Sequence, residues 1–194
     1  MDSLIAHALP PPEGVFPAPQ GSFKTLEEAY FLGYVPRVVS LVCIKDNPLA
    51  VAWHMPINKK PFLYALALAK ENHSHLLAQE GADFTVNFLP FEYLQDIITA
   101  GSHHGNQENK WNLFKDIKPI KALKVDALMV DQALLIYECK KETFISFPDH
   151  SLLVGKVEVI HYKRGRLKVS KVKYPLHMGK NYFSHNSKAY IYKR

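Results

Sequence analysis

The sequence predicts a mainly β fold, a closed barrel with a few short helices. Three observations predict it. Apolar, β-branched runs recur at short spacing, at residues 38–44 (VVSLVCI), 49–54 (LAVAWH) and 62–69 (FLYALALA). Two longer stretches of the same character follow at 133–147 and 152–162, and few segments in between carry a helical period. Many strands at short spacing with few helices favour a barrel over a sandwich.

Taken in order, residues 1–21 hold five of the thirteen prolines and no periodicity, so they read as an extended N-terminal arm. Residues 22–194 then form one domain, opening with a short helical piece from Thr25 to Phe31. The run 38–44 is a buried strand that Asp46-Asn47-Pro48 ends with turn chemistry. The second and third strands are separated by a loop from Pro56 to Pro61. Lys70-Glu71-Asn72-His73-Ser74-His75 followed by LLAQE and Gly81 has the order of a helix start, an apolar body and a glycine stop. Residues 84–89 (FTVNFL) alternate as a strand, 92–100 read as a second helix, and 101–110 (GSHHGNQENK) as a polar loop. Lys163-Arg164-Gly165-Arg166 reads as a hairpin turn from the last long strand into residues 167–172.

Composition narrows the function classes. At 194 residues with 47% hydrophobic content the chain can bury a core without staples. Its two cysteines, Cys43 and Cys139, have neither metal-ligand nor redox-motif spacing, which suits a reducing cytoplasm. The first residues have no basic n-region with an apolar h-region, and no run is long enough for a membrane span, so neither a leader nor a membrane association is expected. The formal charge of +6 favours an anionic partner. The basic residues alternate with apolar ones after position 110, which is the pattern of a solvated hairpin face, so no nucleic acid is expected. Ten histidines include the pair His103-His104, but no H-x-x-x-H spacing supports a metal, and these read as solvated loop residues.

Two segments offer chemistry. At Lys70 to Ser74 a strand end meets a helix start, where free backbone N–H groups and a nearby ammonium bind phosphate. The alternative is that Asn72 or Ser74 merely caps the helix. At Trp53-His54-Met55-Pro56-Ile57-Asn58 a strand end combines apolar surface with edge hydrogen-bonding groups, which suits a flat heteroaromatic ligand. Core packing of Trp53 is the competing reading. P-loop, G-x-G-x-x-G and G-x-S-x-G motifs are all absent.

From Pro36 to Tyr182 the order of segments resembles the flavin-reductase-like family, which includes flavoredoxins and NAD(P)H:flavin oxidoreductases. Tyr34 to Val42 approximates that family's P-x-P-V-x-L-V strand. Asn47 to Phe62 is similar to its signature N-x-M-T-x-S-W-x-T-P-V-S-x-x-P-P. The family's phosphate-gripping run falls on Asn72-His73-Ser74-His75-Leu76-Leu77, its G-x-F-x-V-N on Gly81 to Asn87, and its dKF loop on Asn109-Lys110-Trp111. Its l-E-C motif matches Tyr137-Glu138-Cys139, its G-D-H motif matches Pro148-Asp149-His150, and its P-L-x-x-G-x-x-Y spans Pro175 to Tyr182. The chain departs from the pattern at Ala50 and Ala52, which replace hydroxyls, at Asn72, where arginine is common, and at Phe62, which replaces a proline.

The resemblance implies an FMN-binding split β-barrel, a Greek-key barrel, acting as a homodimer. FMN would be held by Ala52, Trp53, His54, Met55, Pro56 and Asn58 on one side. Lys70, Asn72, His73, Ser74, Asn87 and Lys110 would hold it on the other, with His150 beside the nicotinamide of NADH or NADPH. The polar loop and the N-terminal arm are expected to reach the second subunit. The implied activity is hydride transfer to flavin and onward to free flavin, a ferric complex or a protein acceptor. An electron carrier fed by a partner protein is the alternative within flavin chemistry, and a non-catalytic polyanion-binding module the alternative outside it.

Overall fold

The computed structural model describes residues 33–163 and 172–186. Its centre is a seven-stranded antiparallel sheet of order β3-β2-β6-β9-β10-β5-β4. The strands are β2 (Ser40–Ile44), β3 (Asn47–Val51), β4 (His54–Asn58), β5 (Leu63–Ala69), β6 (Phe84–Phe88), β9 (Leu135–Ser146) and β10 (His150–Tyr162). β1 (Arg37–Val38) pairs with β11 (Pro175–His177), which pairs with β12 (Phe183–His185), and β7 (Pro119–Lys121) pairs with β8 (Leu128–Val130). Helix α1 is His73–Gln79 and α2 is Leu94–Ser102.

The continuous apolar run of β2 follows from burial on both of its faces. Val42 and Ile44 point into the barrel, where they meet Leu66, Phe84 and Leu153. Leu41 and Cys43 point outward and are covered by Ile97 and Ala100 of α2 together with Val130. β9 and β10 form a long hairpin with irregularities at Val154/Gly155 and Val157/Val159. A Cβ on Gly155 would stand 2.5 Å from the Phe84 ring and 2.9 Å from the Cys139 Cβ, so glycine is what lets the wall close there.

Two expectations are corrected. The first turn lies at Lys45-Asp46, with Lys45 at φ 53, and Asn47 and Pro48 already belong to β3. The first half of the expected Pro56–Pro61 loop is strand, because β4 runs through Asn58. Both strands pair on one side only, so the missing N–H of Pro48 and of Pro56 removes no ladder bond. The second helix begins with a 3-10 turn at Phe91–Tyr93, and α1 ends before Gly81, whose φ of 105 reverses the chain. The arm, the Thr25 to Phe31 helix and nearly all of the expected 163–172 hairpin fall outside the described residues. No helix among the described residues is long and apolar enough to cross a membrane.

Candidate functional site

β3 and β4 lie at opposite edges of the seven-stranded sheet, yet only Ala52 and Trp53 separate them in sequence. The sheet therefore curls round until its edges meet at this link, where the barrel has a seam. Ala67 donates its N–H to the Trp53 carbonyl at 2.9 Å. The Trp53 ring stacks on His150, with centroids 4.9 Å apart and planes 20° apart, and its Nε1–H donates to the Tyr34 hydroxyl at 2.9 Å. The pairing of His150 with Ala69 across β10 and β5 brings His150 to this point. Asp149 lies 3.2 Å from His150 Nδ1, and this contact holds the exposed carboxyl below its ordinary range.

His54 turns inward. Its Nε2–H donates to the Val38 carbonyl at 3.0 Å, and its Nδ1 accepts from the Tyr64 hydroxyl at 2.6 Å, which fixes one neutral tautomer. Burial pushes its pKa down to about 4, and the charge of Arg37 acts in the same direction. Both ring nitrogens are thus committed within the barrel, so His54 has no edge group for a ligand. Asn87 is likewise internal, fully buried, donating to the Leu41 carbonyl at 3.0 Å and accepting from the Val130 N–H at 2.9 Å. Asn58 donates to the Pro61 carbonyl at 2.7 Å at the barrel edge, and Met55 is half exposed.

On one side of the seam is a narrow cleft of about 70 Å³, lined by Asn72, His73, Ser74, His103, His104 and Lys110 among others. Asn72 occupies the cap position of α1 without a side-chain cap bond. The buried Ser74 hydroxyl accepts from Asn47 Nδ2 at 2.7 Å, which leaves its own hydrogen to donate. Lys110, only 5% exposed, gives two of its three N–H bonds to the Pro48 and Ala100 carbonyls, both at 2.9 Å. Burial lowers its pKa to about 8, so it is still mostly cationic at neutral pH. Gly105 packs directly against the Asn47 side chain, and Trp111 donates to the Asp46 carbonyl at 2.6 Å. Loop 103–111 thus lies over its own β2–β3 hairpin.

The charge here comes from Lys110. Lys70 is exposed and is not among the lining residues. With only seven residues α1 has little macrodipole, so its contribution is the N–H groups of His73 and Ser74, the His75 N–H being given to the Asn72 carbonyl at 2.9 Å. Those N–H groups, the Ser74 hydroxyl and the third Lys110 N–H form a donor set for a phosphoryl group, and the volume admits that group and not a whole nucleotide. Sequence reading missed His103 and His104, taken as solvated loop residues, which here face the cleft.

On the other side lies a cleft of about 360 Å³ with Tyr34, Arg37, Trp53, Met55, Ala67 and Leu152 in its wall. Trp53 therefore belongs both to the seam and to this cavity. Arg37 was read only as part of a strand. Among the described residues no group of three or more histidine, cysteine or acidic side chains is arranged to hold a metal. Cys43 and Cys139 are buried unpaired thiols, and burial pushes Cys43 up to about 12, far from a nucleophile's range.

The model of the flavin reductase like domain matches residues 32–183. An uncharacterized protein of Archaeoglobus fulgidus is 29% identical over 153 residues, which cover 75% of this chain and 85% of that protein. Among solved structures, the FMN-binding protein from Thermus thermophilus with bound 1-cyclohex-2-enone superposes with a TM-score of 0.76 at 21% identity, covering 92% of this chain and 99% of its own. Flavoredoxin from Methanosarcina acetivorans gives 0.71 at 20%, covering 96% and 95%. A putative flavin reductase with a split barrel domain from Shewanella frigidimarina gives 0.74 at 12%, covering 89% and 94%. These likenesses show the fold, a split β-barrel with its seam at Ala52-Trp53. The family model spans both clefts and the seam between them, and the chain belongs to the flavin reductase like family.

Proposed function

We propose that this protein binds FMN and acts as an oxidoreductase that takes hydride from NADH or NADPH and delivers electrons to a small-molecule or protein acceptor. The observation that carries the reading is the phosphate-sized donor cleft at Ser74 and Lys110, set beside an incomplete barrel seam. FMN, when bound, supplies reversible two-electron chemistry that side chains lack. The protein binds and orients. Lys110, the Ser74 hydroxyl and the first N–H groups of α1 would hold the phosphate, and the backbone of Ala50, Ala52 and Trp53 would serve the ring where hydroxyls are missing. His150, braced by the Trp53 stack, positions the nicotinamide; no proton transfer is asked of it.

A homodimer completes the site in this reading, the second copy covering the seam. Sedimentation should then report about twice 22.1 kDa. A monomer that retains flavin at micromolar concentration would refute the shared site. The decisive experiment is anaerobic: purified protein loaded with FMN is mixed with NADH or NADPH and the flavin absorbance followed. Bleaching within seconds supports the reductase. No bleaching by either nicotinamide within minutes favours the carrier reading, which the flavoredoxin likeness keeps in view. Ser74→Ala tests the phosphate end. It should bind FMN roughly ten- to a hundredfold more weakly, the ~1.5–3 kcal/mol of one charge-assisted hydrogen bond, with riboflavin little changed. Equal losses for both flavins would place the phosphate elsewhere.

A further inference from the structure

The barrel interior holds a phenol and an imidazole joined by one hydrogen bond, and the flavin reading uses neither group of that pair. Tyr64 stands on β5 opposite Pro56 of β4 and is 4% exposed. Its hydroxyl donates to His54 Nδ1 at 2.6 Å, and among the described residues it has no other hydrogen-bond partner. The Val38 carbonyl takes the His54 Nε2–H at 3.0 Å, so the lone pair is fixed on the nitrogen that faces the phenol. The two rings are stacked, with centroids 5.7 Å apart and planes 29° apart.

Burial holds both groups neutral. It pushes the Tyr64 phenol above its ordinary range and lowers His54 to about 4, so neither titrates near neutral pH. The phenolic proton therefore has one place to go. A phenol that has lost an electron is a far stronger acid than any imidazolium, which overcomes the weak basicity of buried His54. After transfer the imidazolium keeps two partners, the Val38 carbonyl at Nε2 and the Tyr64 oxygen at Nδ1.

The surroundings protect such a state. The Tyr137 ring lies 5.3 Å from that of Tyr64, and Phe62 and Phe88 pack edge to face on Tyr137 at 5.4 and 5.3 Å. These rings keep water and other radicals away from the Tyr64 oxygen. On its other side His54 reaches the wall of the larger cleft, so an oxidant lodged there is one imidazole away from the phenol.

We propose that Tyr64 and His54 form a proton-coupled one-electron site inside the barrel. Tyr64 gives one electron to a diffusing one-electron oxidant, which is reduced by that electron. The Tyr64 O–H bond breaks, its proton forms an N–H bond at His54 Nδ1, and a neutral phenoxyl radical is left beside the imidazolium. Re-reduction returns the electron to the phenoxyl and the proton to its oxygen. Beside the proposed redox seam this site would absorb single oxidising equivalents in a protein whose cofactor works by electron pairs. That role rests on the flavin reading; the radical chemistry does not.

The test oxidises the full-length protein with tris(bipyridine)ruthenium(III), generated by a flash in the presence of a cobalt(III) quencher. Samples are frozen once the radicals of exposed phenols such as Tyr162 and Tyr182 have decayed, and are read by electron paramagnetic resonance. A persistent tyrosyl signal is expected. Tyr64→Phe, which keeps the ring, should abolish it, and His54→Gln, which can accept a hydrogen bond but not the proton, should slow its formation about a hundredfold. Electron-nuclear double resonance after equilibration in heavy water needs no variant: one exchangeable deuteron should couple to the Tyr64 phenoxyl, held there by His54. Absence of a persistent radical in the wild type overturns the proposal, as does a signal unchanged in Tyr64→Phe. A Tyr64 radical with no exchangeable coupling overturns it too, because the proton has then left the pair. FMN is titrated separately into the same protein. Failure there removes the flavin reading and leaves the radical result standing.

Discussion

The two clefts flanking the seam each hold one cation, in opposite states. Lys110 is nearly fully buried, with two of its N–H bonds given to backbone carbonyls and its pKa lowered to about 8. Arg37 is half-buried and tethered to the Tyr34 carbonyl through Nε. The first is part of the scaffold as well as of the site, because its ammonium joins β3 to the end of α2. The second can be removed without stranding any buried group. Charge in a cleft therefore has two physical meanings here, one coupled to folding and the other not.

Asp96 is where that coupling should show most strongly. It is 2% exposed, and its carboxylate accepts from the N–H groups of Lys115, Asp116 and Ile117 at 3.0, 3.0 and 3.2 Å, anchoring the segment that follows Lys110 onto α2. Asp96→Ala strands these donors, and a loss of roughly 3 kcal/mol or more is expected in denaturant unfolding. FMN binding should weaken and the Arg37 cleft should be untouched in any protein that remains folded. A loss below about 1 kcal/mol would mean the segment is held by something else.

Lys110→Met should weaken FMN by roughly a hundredfold, from one lost charge contact and a loosened β3–α2 junction, and riboflavin several-fold less. If both flavins weaken equally, Lys110 acts on the fold alone. In the wild type the ratio of FMN to riboflavin affinity should fall as pH rises from about 7 to about 9.5, because the Lys110 ammonium discharges over this range, with bound phosphate moving its midpoint upward. Stability moves the other way. The folded pKa lies below the ordinary lysine value of 10.5, so the unfolded chain holds more protons between about 8 and 10.5, and this group's share of stability increases through that window. A flat FMN ratio would take the lysine out of the phosphate site.

His150→Ala should give the smallest change, slowing flavin reduction by NAD(P)H about tenfold, or about 1.4 kcal/mol, with FMN affinity nearly intact. Stopped-flow bleaching measures it. An unaltered rate would leave His150 as a packing partner of Trp53.

The strands of the barrel were legible because apolar runs and alternation are local. Burial on both faces writes β2 as an unbroken apolar run, and β9 and β10 alternate over most of their length. β4 was not legible, because Pro56 and Pro61 read as loop until its position at a sheet edge is known. The three-residue strands β7, β8, β11 and β12 are too short to carry a period. At the site, Lys110 was reached through motif resemblance, while local chemistry reached Ser74 and set beside it Lys70, which stands exposed outside the cleft. Its proximity in sequence to Ser74 suggested the pairing, whereas Lys110 arrives by way of α2 and a buried salt-free bond to Pro48. Arg37 offered no signal at all, since its meaning depends on Trp53 and Leu152 being brought to it by the curl of the sheet.

That curl has a last consequence. In a barrel without a seam every wall strand would pair on both sides, whereas here, among the described residues, the backbone groups on the outer sides of β3 and β4 find no strand. Amide protons from Ala50 to Met55 should exchange with deuterium sooner than those of β6 or β9, which are flanked on both sides. A flat molecule lodged along the seam would act as the absent rung of the ladder, so occupancy can be read as slowed exchange at those six residues, with no chromophore and no turnover required.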